Sequence, residues 1–286
     1  MSSRSALGGL LGRLPLYLVI AIVVALAVNA VRWAIVDWNL NDVDVYWDAA
    51  TRLRGGGSPY GGSIPIDLAD PDGLYRQYRY APWFAALWVP LTLLPRPVVE
   101  MAWSIVLVGV SAWIVSVPAR HGLPGAIPAL LLGTFLLGIS SGGNVQPLLV
   151  GALLFGVDRR SGPIWVALAA SLKVVPVLFV LLYLARREWT RAAVALGLSA
   201  VLLAPALLFE IPSETFASGP AQTWSGLAHL AVAGAASLIA YVIALRSPVN
   251  GPLAIATASI LALPRLLPYE STLLAAGLSP LLRRRD

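Results

Sequence analysis

The sequence predicts an all-α, polytopic membrane protein, and three observations carry that prediction. Of 286 residues, 58% are hydrophobic and only 12% are charged, against about 25% charged in an average soluble domain. Mean hydropathy is +0.78, and a soluble fold needs more polar surface than such a chain supplies. The apolar residues come in continuous runs rich in Leu, Ala and Val, not in the short alternating segments that build a membrane β-barrel. A soluble enzyme, a nucleic-acid-binding module and a disordered chain are thereby excluded.

The charge balance fits this class. Twenty basic against 14 acidic residues leave a net charge of +6. In a membrane chain that excess reads as arginines pinning loops to the cytoplasmic side. Nineteen of the 20 basic residues are arginine, and the single lysine, Lys173, lies inside an apolar run. With no cysteine, disulfides, thiolate metal sites and a cysteine nucleophile drop out. His121 and His229 stand far apart, outside any metal-ligand spacing.

Taken in order, residues 1–13 carry Arg4 and Arg13 and no acid, and an apolar run over 14–31 follows. No small-residue cleavage site comes after it, so it is expected as an uncleaved first span with a cytoplasmic N-terminus. Residues 37–80 are the one long polar stretch, with seven of the 14 acids, four arginines and five of the nine tyrosines. By parity this is an external loop, and loops of that length are usually functional or disordered. Its tyrosines and Trp47 give it something to pack with.

Further spans are expected at 81–95, 97–117, 124–140, 145–157, 162–184, 192–209, 225–245, 252–264 and 271–282. That makes about ten membrane segments in a single domain over residues 1–286. Several are shorter than the ~20 residues of a full crossing. Short or broken helices at membrane depth are tolerated only where they are buried or line a cavity. The basic runs at 186–191 and 283–285 read as cytoplasmic, and 210–224 as external. Arg96, Arg120, Arg159 and Arg160 cannot all be cytoplasmic if every segment crosses once. One segment re-enters, or one arginine is external.

Five constellations carry chemistry. Asp42, Asp44 and Asp48 stand with Tyr46 and Trp47 just past the first span. A carboxylate held there by aromatics is suited to general base work; the plain alternative is a solvated acidic loop. Tyr78, Arg79, Tyr80, Ala81, Pro82 and Trp83 open the next helix. They read as an interfacial aromatic belt, or, through Arg76 and Arg79, as a phosphate contact. Gly142, Gly143, Asn144, Val145, Gln146 and Pro147 interrupt two apolar runs. This is a tight turn whose two amides also offer donors and acceptors. Lys173 stands before Pro176. An ionisable group inside a membrane costs roughly 2.5–3.5 kcal/mol and is a functional candidate by default, unless it snorkels to a helix end. Arg265, Tyr269 and Glu270 lie around the prolines Pro264 and Pro268, where Glu270 either pairs with Arg265 or accepts hydrogen bonds from a ligand.

In this order the motifs resemble glycosyltransferase family 87, polyprenyl-phosphate-sugar-dependent membrane enzymes of the GT-C class. The resemblance rests on Asp42 to Tyr46 with Ala49, Ala50 and the Gly57, Ser58, Pro59, Tyr60 run. It extends through Tyr80-Ala81-Pro82, Gly143 to Gln146, Lys173 to Pro176 with the following basic loop, and Pro264-Arg265 with Tyr269-Glu270. Glu270 stands where the family pattern has Asp.

The resemblance implies a GT-C-type helical fold and transfer of mannose or arabinose from a polyprenyl-phosphate donor to a lipid or glycan hydroxyl acceptor. It implies a multi-pass protein of a bacterial cytoplasmic membrane, serving the cell envelope, with its site on the external face in the 37–80 loop. Asp42 is then the general base, with Asp44 as substitute and Asp48 behind it. Arg79, Lys173 and Arg265 hold the donor phosphate, and Tyr46, Tyr80, Asn144, Gln146, Tyr269 and Glu270 line the sugar or acceptor. No metal, no cofactor and no nucleic acid is called for. The competing reading is a transporter or flippase of a lipid-linked or anionic substrate, using Lys173 and Arg265 as ligands. It lacks the inverted repeat that many transporters show.

Overall fold

In this computed structural model, residues 41–61, 63–65, 75–211, 226–263 and 267–282 are described. The expected first span at 14–31, and Arg265 with it, lie outside the described residues. The described chain is helical except for a short antiparallel pairing of Ser63–Pro65 (β1) with Tyr75–Gln77 (β2). Its helices are α1 Asn41–Arg54, α2 Pro82–Trp88, α3 Arg96–Ala119, α4 Leu123–Ser141 and α5 Gln146–Gly156. They continue as α6 Gly162–Leu172, α7 Val180–Ala185, α8 Trp189–Leu203, α9 Gly226–Arg246 and α10 Gly251–Leu261. Tight 3₁₀ turns extend several of them, and a 15-residue 3₁₀ segment, Pro268–Leu282, ends the described chain.

Proline sets many of the helix starts. Pro82, Pro97, Pro124, Pro147, Pro163 and Pro252 each fall in a first helical turn, where the missing N–H has no intrahelical partner to lose. Pro176 acts in the opposite sense. It has no N–H for the Leu172 carbonyl, so the run at 162–184, expected as one span, breaks after Leu172. Lys173 leaves the helix in extended conformation, φ −141° and ψ 126°.

Among the described residues, four helices are long and apolar enough to cross a membrane: Arg96–Ala119, Pro124–Ser141, Trp189–Leu208 and Gly226–Arg246. The chain is a membrane protein. Of the ten or so segments expected, those four have the length of a crossing, and the other described apolar helices are shorter. α5 and α6 are the most enclosed of the short ones. Gln146, Leu149, Val150, Leu153 and Leu154 of α5 are buried, as are Val166, Ala167, Ala169 and Ala170 of α6. Short helices fit here because neighbouring helices, rather than lipid, cover them.

The contacts sort the helix ends into two layers. Gly142, Gln146, Lys173 and Glu270 meet at one end, beside Asp42. Val157, Asp158, Tyr183, Arg186, Arg191 and Ser279 meet at the other. α3, α5, the segment from Val175 through α7, and Pro268–Leu282 run away from the Asp42 end; α4, α6, α8 and α10 return to it. Residues 81–95, expected as a span, begin beside Tyr80 and end beside Arg96, and both of these lie at the Asp42 end. That segment turns back at the same end rather than running the length of the bundle. Arg120, Arg159, Arg160, Arg186, Arg187 and Arg191 all fall at the far end, and Arg96 at the Asp42 end. Arg96 thus stands at the opposite end of the helices from the other arginines weighed with it.

The polar stretch expected as a loop contains α1, a 14-residue helix. Its buried face is Val43, Val45, Tyr46, Ala49 and Ala50. Tyr46 is the centre of an aromatic cluster with Tyr80, Phe84, Trp88 and Trp103, at ring-centroid distances of 5.0–6.2 Å. Such pairs add about 0.5–1.5 kcal/mol each beyond their burial, which fastens α1 to α2 and α3.

Close helix approach depends on small residues. A Cβ on Gly156 would lie 2.2 Å from the Trp165 ring, where α5 meets α6. Gly156→Ala is expected to lower stability by about 1–3 kcal/mol, as overpacking does. A Cβ on Gly197, on the exposed face of α8, would meet nothing within 4 Å. Gly197→Ala is therefore expected to be neutral or to stabilise by about 0.5–1 kcal/mol. Thermal unfolding of the two variants in detergent checks the contrast.

Candidate functional site

The site is assembled where four breaks in regular helix converge. The first is the start of α1. Asp42 donates its N–H to the Gly142 carbonyl at 3.0 Å, so α1 begins against the α4–α5 turn. That turn requires glycine at Gly143, whose φ is +80°, a conformation costly for side chains with a Cβ. Asn144 follows. Its Oδ1 accepts the Gln146 N–H at 2.8 Å, and its Nδ2 donates to Asp42 Oδ2 at 3.0 Å. One amide therefore accepts the first N–H of α5 and orients the carboxylate.

Gln146 carries the chain of contacts inward. Its Nε2 donates to Thr272 Oγ1 at 3.2 Å, and its Oε1 accepts from Lys173 Nζ at 2.8 Å. Lys173 also donates to Glu270 Oε1 at 2.9 Å and stands 5.0 Å from the centre of the Tyr269 ring. Asp42, Asn144, Gln146, Lys173 and Glu270 are thus linked in one hydrogen-bonded line. The extended residue after Leu172 aims Lys173 across this line, which a continuous helix would not do.

Tyr46 and Tyr80 flank the carboxylate. The Tyr46 hydroxyl donates to the Tyr80 hydroxyl at 3.3 Å and accepts the Val145 N–H at 3.3 Å. Burial raises both phenols well above their ordinary value, with the Tyr46–Tyr80 contact and the nearby Asp42 charge adding to it at Tyr46 and the Asp42 charge at Tyr80. Both are therefore neutral hydroxyls at any physiological pH. The Gly57–Tyr60 run is folded back by Arg52, which donates to the Ser58 carbonyl at 3.2 Å and the Pro59 carbonyl at 2.7 Å. Tyr60 then donates to the Tyr80 carbonyl at 3.0 Å.

Of the residues singled out by sequence, Asp42, Tyr46, Tyr80, Asn144, Gln146, Lys173, Tyr269 and Glu270 come together here. Asp44 points elsewhere and pairs with Arg96. Arg79 is exposed, on the stretch between β2 and Tyr80. Asp48 pairs with Arg52. Glu270 has Lys173, rather than Arg265, as its described cation. The members also differ in exposure: Tyr46, Asn144, Gln146 and Glu270 are buried, while Asp42, Tyr80, Lys173 and Tyr269 keep part of their surface open. Sequence reading missed Thr272, and it missed Glu100, a fully buried carboxylate paired with Arg96 at 2.7 Å. The signal for Glu100 was an acid within the expected span at 97–117.

The chain matches the family model of glycosyltransferase family 87 over residues 78–278. The match takes in Tyr80, Asn144, Gln146, Lys173, Tyr269 and Glu270, and α1 with Asp42 precedes it. A polyprenol-phosphate-mannose-dependent alpha-(1-2)-phosphatidylinositol mannoside mannosyltransferase of Mycobacterium tuberculosis is 28% identical over 221 residues, covering 68% of this chain and 51% of the relative. The chain thus spans about half the length of that relative. No solved structure matches it.

The geometry makes two predictions about stability. Lys173→Met strands the Glu270 carboxylate, whose side chain is only 9% exposed. A loss near the low end of the about 3–5 kcal/mol that follows breaking a buried pair is expected. The Lys173→Met, Glu270→Gln double variant should lose less than the sum of the single losses, measured by thermal unfolding. The second concerns pH. Burial pushes Tyr60 up to about 12 from its ordinary value of 10.0. A folded-state value above the unfolded one stabilises fully below the unfolded value and is lost as pH rises through the folded one. Stability should therefore fall between pH 10 and pH 12, and less steeply in Tyr60→Phe, as a pH series of unfolding curves would show.

Proposed function

The chain belongs to glycosyltransferase family 87, and from that membership we propose that it is a membrane glycosyltransferase taking its sugar from a polyprenyl-phosphate donor. The observation that carries the reading is the hydrogen-bonded line from Asp42 through Asn144 and Gln146 to Lys173 and Glu270. It puts a base candidate and a cation on one continuous site at one end of the helices. Mannose is the sugar in the relative's name and is the favoured sugar here, with a lipid hydroxyl as acceptor.

The chemistry divides among these residues by exposure. Asp42, oriented by the Asn144 amide, takes the proton of the acceptor hydroxyl as its oxygen attacks the anomeric carbon. The bond between that carbon and the phosphate oxygen breaks, and polyprenyl phosphate leaves. Charge grows on the phosphate, and Lys173 meets it. Two of its three N–H donors are held by Gln146 and Glu270, which leaves the third for a phosphate oxygen. Arg79 and Arg265 assist in holding the phosphate. Tyr80 and Tyr269 offer hydroxyl and ring surface to the sugar. The buried Tyr46, Asn144, Gln146 and Glu270 hold the others in place.

The membrane orientation follows from charge. The far end carries Arg120, Arg159, Arg160, Arg186, Arg187 and Arg191 against Asp158 and Glu188, while at the Asp42 end Arg52, Arg96 and Lys173 are each paired with carboxylates and Arg54 and Arg79 add to them. Positive charge favours the cytoplasm, so the site faces the external side of a bacterial cytoplasmic membrane, and residues 1–286 act as one membrane domain.

Purified protein supplied with polyprenyl-phosphate-mannose and a phosphatidylinositol mannoside acceptor should form a mannosylated lipid, detected by mass spectrometry. Asp42→Asn should lower kcat by about 10²–10⁴-fold, the range of a lost general base. Lys173→Met should raise the donor KM more than it lowers kcat at saturating donor. Full activity in Asp42→Asn contradicts the assignment of the base.

A further inference from the structure

We propose that Glu100 is a positioning residue, which holds Arg96 on Asp44 and so fixes the helix that presents Asp42. The inference rests on the glycosyltransferase reading of the site. It starts from a feature that reading does not use: a carboxylate with 0% exposure in the second turn of α3. Its Oε1 accepts from Arg96 Nε at 2.7 Å, and its Oε2 is buried without a hydrogen-bond partner.

Arg96 joins two elements. Its Nε goes to Glu100 on its own helix, and its Nη2 goes to Asp44 on α1. The location is unfavourable for a lone cation, because the first turn of a helix carries partial positive charge. Two carboxylates offset that, one from each side. The guanidinium is planar and forked, so a partner on Nε fixes the direction in which Nη2 points. Glu100 itself is fully buried, as are its helix neighbours Val99 and Ser104. Arg96 by contrast keeps 36% of its side chain exposed. Without Glu100 it has room to turn toward solvent, and the bridge from α3 to Asp44 is weakened.

Asp44 lies two residues from Asp42 on the same helix. The Arg96 pairing restrains α1 from the α3 side, while Asn144 restrains it from the α4–α5 turn. The aromatic cluster around Tyr46 supplies the third support, with Trp103 one turn beyond Glu100 on α3. The carboxylate at position 100 therefore acts on the reacting group through Arg96 and Asp44, without touching substrate.

The test uses the full chain and exploits its lack of cysteine. Spin labels are placed on Thr51→Cys in α1 and Ile105→Cys in α3, both exposed positions, and the inter-label distance distribution is measured by pulsed electron resonance. Glu100→Ala is expected to broaden the distribution at least twofold. Glu100→Gln keeps an acceptor for Arg96 Nε and is expected to leave it narrow. In kinetics with polyprenyl-phosphate-mannose, Glu100→Ala should lower kcat about tenfold or more with donor KM within twofold. Asp44→Asn added to Glu100→Ala should cost little further. An unchanged distance distribution in a folded Glu100→Ala protein overturns the proposal. So does full additivity of the Asp44 and Glu100 substitutions. If Glu100→Ala does not fold, Asp44→Ala, which removes the other end of the same bridge, decides: a broadened distribution supports the proposal, and an unchanged one in a folded protein overturns it. Absence of any transfer by the unsubstituted protein fails the glycosyltransferase reading instead, and leaves the distance measurement to decide the role of Glu100.

Discussion

The ion pair between Lys173 and Glu270 is the contact on which the rest of the site depends. Both side chains are withdrawn from solvent, 20% and 9% exposed, and neither is tolerated alone in a largely apolar interior. The pair also closes the molecule. Lys173 lies just after α6 and Glu270 opens the final 3₁₀ segment, so their contact fixes the end of the chain against its middle. Gln146 joins them from the start of α5, and Asn144 passes the order on to Asp42. Each member is satisfied by the next, as a buried polar network must be.

A second polar layer at the far end keeps the helices in register. Arg186 pairs with Asp158 at 2.7 Å, Ser279 donates to Asp158 at 2.8 Å, and Arg191 reaches the carbonyls of Val157 and Arg159. α5 spans the distance between the two layers with 11 residues, about 16 Å at helical rise. A helix that short does not cross a bilayer unaided. Its burial against α6, α3 and the Pro268–Leu282 segment, and the polar layers at each end, explain why short apolar helices gather in this part of the fold. The close approach of α5 and α6 at Gly156 and Trp165 serves the same arrangement.

Most of the membrane fold was legible because hydropathy marks a helix without reference to its neighbours. The boundaries of α3 to α5 and of α8 to α10 fall close to the expected spans, whereas the span expected at 162–184 is divided by the break before Pro176. α1 was not legible as helix. Its sequence, with Asp42, Asp44, Asp48, Arg52 and Arg54, is polar overall, and what makes it helical is the pocket of Tyr80, Phe84, Trp88 and Trp103 that receives Tyr46. The segment 81–95 was misread because an apolar run does not say whether it crosses or turns back. Within the site, the candidate residues were marked by being polar where the chain is otherwise apolar. What sequence did not reveal was their pairing. Glu270 stood nearer in sequence to Arg265, and only the fold brings Lys173 to it. Asp42 and Asp44 were interchangeable by type, and separate only once Asn144 faces one and Arg96 the other. Glu100 escaped notice because its partner Arg96 was weighed as a topology marker.

The central claim is that Asp42 and Lys173 serve one donor at one end of the helices. A cryo-electron microscopy structure with a non-hydrolysable polyprenyl-phosphate-mannose analogue tests it most directly. The phosphate is expected within hydrogen-bonding distance of Lys173 Nζ, with the anomeric carbon facing Asp42. A phosphate seated instead among Arg159, Arg186 and Arg191 at the far end would contradict it.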